Sequence, residues 1–157
     1  METIVYTKGD ATRPVEPGNK IIVHVCNDIG GWGKGFVMAI SKRWKLPETE
    51  YRKWYQSNDK FELGEVQIVQ VENDIWIGNM IGQRNIKTNS KGIPPIRYEA
   101  VKECLSKVSQ FALINNSSVH MPRIGCGLAG GKWEDIEPLI LEELSSRGIK
   151  TIVYDFE

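Results

Sequence analysis

The sequence is short of charge imbalance, histidine, cysteine and long apolar runs, and each shortage excludes something. Twenty lysines and arginines face twenty acids over 157 residues, for a net charge of zero. That lacks the basic surplus of a general nucleic-acid binder, although a local pocket of one sign stays compatible with it. The two histidines, His24 and His120, stand in no metal-ligand spacing with Cys, Asp or Glu, so no metal site and no cofactor are expected. Cys26, Cys104 and Cys126 are odd in number and sit in apolar settings. Buried thiols in a reducing, cytoplasmic setting are expected rather than disulfides. The start, "METIVYTKGD", has no basic stretch followed by an apolar run, so no signal peptide is read there. No segment approaches membrane-spanning length, and no membrane partner is expected. There is no internal repeat, no G-x-S-x-G elbow and no G-K-[ST].

What is present is a chain of one domain's length, 1–157, with 41% hydrophobic residues, enough for a core. β-type runs recur at Thr3–Thr7, Lys20–Cys26, Glu65–Val71, Asp74–Ile81, Ser118–Ile124 and Ile149–Phe156. One-face helical spacing links Phe36, Val37, Ile40 and Trp44. It also links Val101, Leu105, Val108 and Ala112, and then Ile136, Leu139, Ile140 and Leu144. Pro47 with Glu48 and Glu50 marks a helix start, and Pro94-Pro95 introduces another near Ile96 or Arg97. Partial alternation over Val66–Val71 fits an edge or half-buried strand. Strands alternating with helices imply an α/β fold, with helices on both faces of a mostly parallel or mixed sheet.

Two glycine-rich segments each follow a β-type run and precede a helix. "HVCNDIGGWGKGF" (His24–Phe36) contains Gly30, Gly31, Gly33 and Gly35. "MPRIGCGLAGGKW" (Met121–Trp133) contains Gly125, Gly127, Gly130 and Gly131. One such loop would usually only make a turn. Two of them suggest amides converging on a phosphate, since side chains are absent and helix-start amides lack partners. Lys34 either touches phosphate or is simply solvated.

His24 lies between Val23 and Val25, three residues before Asn27. It is either a structural histidine or a general acid/base. Asn27 both donates and accepts, which suits sugar hydroxyls or an oriented water. Asp28 caps the loop or contacts a ligand. Asp10 caps a turn or accepts from an adenine amino group. Tyr154 or Phe156 offers a ring to a base. Trp32 is a lid or an anchor, and Cys126 is a space-filler rather than a nucleophile.

Taken together, these segments resemble the macro domain family, which binds ADP-ribose. "TKGDAT" (Thr7–Thr12) is similar to the family's G-D-I-T start, and His24–Phe36 to its N-A-A-N…G-G-G-V loop. "RIGCGLAGG" resembles its second phosphate loop and "TIVYD" its closing strand. The nearest branches are the ADP-ribose 1″-phosphate phosphatases and the terminal ADP-ribose protein glycohydrolases.

The resemblance implies a three-layer α/β/α fold around a mixed, mostly six-stranded sheet. It implies that Asp10 and Ala11 hold the adenine end and that Tyr154 lies near adenine. Gly33, Lys34, Gly35 and Phe36, with Ile124, Gly125, Cys126, Gly127, Leu128 and Ala129, would wrap the diphosphate and distal ribose. Asn27 would contact that ribose, and His24, Asn27 and Asp28 would form the catalytic set. The implied partner is ADP-ribose, a derivative of it, or an ADP-ribosylated macromolecule. The implied activity is hydrolysis, with ADP-ribose 1″-phosphate first. Non-catalytic reading of ADP-ribose and removal of ADP-ribose from protein or nucleic acid are the alternatives. Gln83 and Ala129 stand where the glycohydrolase branch has a lysine and an aspartate, which argues against a lysine adduct. Asp28 and Lys34 depart from the phosphatase branch, which has no acid at the first position and a glycine at the second.

Overall fold

The computed structural model describes residues 3–156. Its strands are β1 (Ile4–Lys8), β2 (Asn19–Asn27), β3 (Val66–Glu72), β4 (Ile75–Gln83), β5 (Ser117–Met121) and β6 (Thr151–Asp155). They form one sheet in the order β1-β6-β5-β2-β4-β3. Every pairing is parallel except β3 with β4. The helices are α1 (Phe36–Arg43), α2 (Leu46–Ser57), α3 (Tyr98–Asn115) and α4 (Trp133–Glu143).

Successive side chains of a strand point to opposite faces, and β2 shows what that does. Ile21, Val23 and Val25 pack with Val101, Leu105 and Val108 of α3 and with Ile136 and Ile140 of α4. Ile22 and Cys26 pack on the other face with Ile40 of α1 and Tyr51 of α2. A strand covered on both faces must be apolar throughout, which is why "KIIVHVC" lacks clean alternation. Each fully buried aliphatic side chain contributes about 1.5–3 kcal/mol of transfer free energy to these two cores. The result is three layers. Residues 9–18 cross the α1/α2 face beyond β2, where Ala11 packs on Ile152 and Tyr154.

Strand ends differ from expectation where the backbone chemistry changes. β5 stops at Met121 rather than Ile124, because Pro122 has no N–H to give the ladder. β6 ends at Asp155, which frees Phe156 from the sheet. β3 is the edge strand that its partial alternation suggested. β2 runs on to Asn27 through a register shift at Cys26/Asn27, and such irregularities re-aim side chains at sheet rims.

Candidate functional site

The carboxyl ends of the parallel strands β1, β2, β5 and β6 lie on one side of the sheet, where α/β folds bind ligands. A cavity of about 320 Å³ opens there. Gly9, Asp10, Ala11, Gly35, Phe36, Ala39, Pro122, Tyr154 and Phe156 line it. Gly9, Ala39 and Pro122 were not foreseen. Small or imino side chains carry no chemical signal of their own, and only their neighbours mark them.

Asp10 follows β1. Its Oδ1 accepts from the Thr12 amide at 2.8 Å and from Thr12 Oγ1 at 2.7 Å. Its Oδ2 has Arg13 Nε only at 4.0 Å, which leaves an acceptor for a ligand. The carboxylate therefore both caps its turn and presents an oxygen at the cavity.

Tyr154 forms the floor of this end and is 5% exposed. The tautomer of the histidine beside it follows from the chain of bonds. Ser118 Oγ donates to Asn19 O at 3.5 Å, so it accepts from His120 Nε2 at 2.8 Å. His120 Nδ1 then accepts the Tyr154 hydroxyl at 2.7 Å. Burial pushes this histidine down to about 4. The ring free to stack on a base is Phe156, 79% exposed on the cavity wall, so Tyr154 supports the site rather than covering a ligand. Arg123 braces the same wall through two bonds to Asp155, at 2.8 and 3.0 Å, with its guanidinium 4.9 Å from both the Tyr6 and Trp133 ring centres.

The loop after β2 is built around Asn27. Its Oδ1 accepts from the Ile29 amide at 3.0 Å, the Gly31 amide at 2.9 Å and the Tyr51 hydroxyl at 3.1 Å. Its Nδ2 donates to Gly31 O at 2.8 Å, and its own carbonyl accepts Tyr51 Oη at 2.6 Å. Asn27 is thus first the organiser of the loop. Asp28 Oδ1 accepts from the Asn85 amide at 2.7 Å, tying this loop to the one after β4. Trp32 is an anchor and no lid: it is 5% exposed, and its Nε1 donates to Ser41 Oγ at 2.8 Å. Gly33 and Lys34 are exposed. Among the described residues, no acceptor takes the amides of Gly33, Lys34, Gly35, Phe36 or Val37.

His24 stands apart from the expected catalytic set. It points to the α1/α2 face and is 2% exposed. Trp32 packs edge-on against it at 5.4 Å and Phe36 at 5.9 Å. Asn79 Nδ2 donates to Gln67 Oε1 at 3.0 Å, so Asn79 Oδ1 accepts from His24 Nε2 at 2.6 Å. Burial pushes His24 down to about 4, and it is neutral at pH 7. It does not line the cavity; it supports Phe36, which does.

The second loop approaches the first where a Cβ built on Gly35 would lie 3.5 Å from Leu128 Cδ1. Ile124 and Ala129 are buried, so only their backbone is available to a ligand. Gly125 has φ 73°, and its carbonyl accepts the Gly131 amide at 2.7 Å. Gly127, Leu128 and Ala129 form a short 3-10 turn whose amides have no acceptor among the described residues. Burial raises the Cys126 thiol, which opposes a nucleophilic thiolate. None of residues 124–129 lines the 320 Å³ cavity; they lie past its Gly35 end. Among the described residues, no cluster of His, Cys, Asp or Glu would hold a metal ion, and no helix is long and apolar enough to cross a membrane.

Comparison with known proteins then identifies the fold. No family sequence model matches. A solved structure described as a macrodomain protein from Streptomyces coelicolor is 50% identical. The match covers 98% of this chain and 99% of that one, with a TM-score of 0.88. The chain belongs to the macrodomain family. A protein of unknown function from Bacteroides thetaiotaomicron is 59% identical to this macrodomain, with 98% of each chain covered and a TM-score of 0.97. Among curated proteins, the Chromodomain-helicase-DNA-binding protein 1-like of Danio rerio is 33% identical over 96% of the macrodomain, which spans 15% of that relative's length. The ADP-ribose 1″-phosphate phosphatase of Candida albicans is 26% identical, with 88% of the macrodomain and 92% of the phosphatase covered.

Proposed function

We propose that this macrodomain binds ADP-ribose as a single domain and hydrolyses its 1″-phosphate derivative to ADP-ribose and inorganic phosphate. The observation that carries the binding is the layout of the cleft. An acceptor oxygen of Asp10 and the exposed Phe156 ring stand at one end, and two loops with amides that find no acceptor among the described residues meet at the other. Adenine has an exocyclic amine for the carboxylate and a π-face for the ring. A diphosphate needs converging amides more than cations, which suits a chain of zero net charge. The same amides would stabilise negative charge developing at the phosphate. Relatives named ADP-ribose 1″-phosphate phosphatase support the hydrolytic step.

In this reading Asp28 is the water-activating group beside Asn27, and His24 acts only by holding Phe36 and Trp32 in place. The three free cysteines, Cys26, Cys104 and Cys126, suit a reducing, cytoplasmic setting. A second reading, a binder of ADP-ribose or ADP-ribosylated protein without turnover, is favoured by the burial and neutrality of His24.

Phosphate release from ADP-ribose 1″-phosphate separates the two. Release that falls in Asp28→Asn while ADP-ribose affinity is kept supports hydrolysis. No release from a protein that binds ADP-ribose selects the reader. Asp10→Ala should weaken ADP-ribose about tenfold, the cost of losing one charge-assisted hydrogen bond, and leave ribose 5-phosphate unaffected. Equal weakening of both would remove the adenine assignment.

A further inference from the structure

A closed ring of hydrogen bonds grips the loop after β2 from its outer side. Trp32 Nε1 donates to Ser41 Oγ at 2.8 Å, and Ser41 Oγ donates to Glu48 Oε1 at 3.2 Å. Glu48 Oε2 accepts from Arg52 Nε at 3.0 Å. Arg52 then returns to the loop, with Nη2 on Trp32 O at 3.4 Å and Nη1 on Gly30 O at 3.3 Å. The circuit begins and ends on Trp32. Glu48 and Arg52 taken alone are an ordinary i,i+4 pair on a helix, worth little. The guanidinium's other donors give the pair a different role, because a planar fork reaches two carbonyls and a carboxylate at once.

The consequence lies in the peptide planes. A trans peptide sets its C=O and N–H on opposite sides, and there is no cis bond among the described residues. With Gly30 O held by Arg52, the Gly31 amide must lie on the opposite side of its peptide from that guanidinium, and it meets Asn27 Oδ1 at 2.9 Å. With Trp32 O held by the same guanidinium, the Gly33 amide also lies on the side away from Arg52, and it finds no acceptor among the described residues. Gly33 is exposed, and a Cβ built on it would meet nothing within 4 Å.

We infer that Arg52 and Glu48 are positioning residues for the diphosphate end of the cleft, holding the Trp32–Gly33 peptide so that its N–H is presented to bound phosphate. The inference rests on the ADP-ribose reading above. It predicts that loss of the ring costs affinity only for ligands that carry the diphosphate.

The test is calorimetric titration of ADP-ribose and of adenosine into the wild type, Arg52→Met and Arg52→Lys. Slow exchange of the Trp32 indole proton is followed in the free proteins. Arg52→Met should weaken ADP-ribose about tenfold and adenosine by less than about twofold. Arg52→Lys keeps the charge without the fork and should weaken ADP-ribose similarly. Indole exchange should quicken in both variants. Unchanged ADP-ribose affinity overturns the inference, as does equal weakening of adenosine or full recovery with lysine. If the wild type takes up no ADP-ribose, the functional reading fails on its own account. Indole exchange still decides the ring in that case: quickening in Arg52→Met upholds it, and no change overturns it.

Discussion

The loop after β2 and the segment after β5 each carry four glycines, yet they are held in opposite ways. The first is held by side chains: Asn27 and Tyr51 inside it, with Arg52 and Trp32 on its outer side. Its last two glycines are nearly free of neighbours. The second is held by close packing at its glycines, against backbone and side chains alike. A Cβ on Gly131 would lie 2.4 Å from Gly125 O, one on Gly130 2.6 Å from Pro94 Cβ, and one on Gly125 2.7 Å from Ile96 Cδ1. In that loop Gly127 alone has open space. The first loop's other two glycines are packed as closely, since a Cβ on Gly30 would lie 2.4 Å from Tyr55 Cδ2 and one on Gly31 2.8 Å from Ile86 Cδ1; access and close packing stand side by side, and composition does not separate the two uses.

The sharpest way to break this comparison is one substitution made in both loops. Gly131→Ala forces a methyl into the Gly125 carbonyl and should cost about 3 kcal/mol, read as a lower urea midpoint. Tyr51→Phe removes the one hydroxyl proton that Asn27 O and Oδ1 share and leaves the buried Asn27 carbonyl short of a donor. It should cost about 2 kcal/mol and loosen the first loop, not the second, in hydrogen exchange.

The next effect concerns the histidine beneath each end of the cleft. His24 and His120 sit near 4 when folded, against about 6.5 when unfolded. The unfolded chain binds more protons between those values. Stability is then complete above pH 6.5 and falls toward pH 4, by about 1 kcal/mol per histidine over the first pH unit. A flat urea midpoint from pH 7 to 5 would contradict their buried, neutral state. The smallest effect is Gly33→Ala, which should shift stability by less than about 0.5 kcal/mol, because its Cβ meets nothing.

Much of the layering was legible, because a strand covered on both faces writes an unbroken apolar run and a helix writes a 3.6-residue stripe. The loops were legible as loops for the same reason that they are ambiguous: glycine reports freedom and not its use. His24 shows the limit most clearly. Its neighbours in sequence predict which face it takes, but Asn79 and Trp32 decide that the face is closed. Likewise Tyr154 and Phe156 are two positions apart, and only the hydroxyl bond to His120, 34 positions away, fixes the first ring as the cavity floor. Arg52 carried no signal at all, since its partners are backbone carbonyls of another segment.

The central claim is that both glycine loops close on a diphosphate while Asp10 and Phe156 hold adenine. A crystal structure of the chain with ADP-ribose tests it directly. The account predicts the diphosphate within hydrogen-bond reach of amides from both Gly33–Val37 and Gly127–Ala129, with the adenine amine on Asp10 Oδ2. A ligand whose phosphates touch only one loop, or whose base lies outside the Asp10–Phe156 cavity, would contradict it.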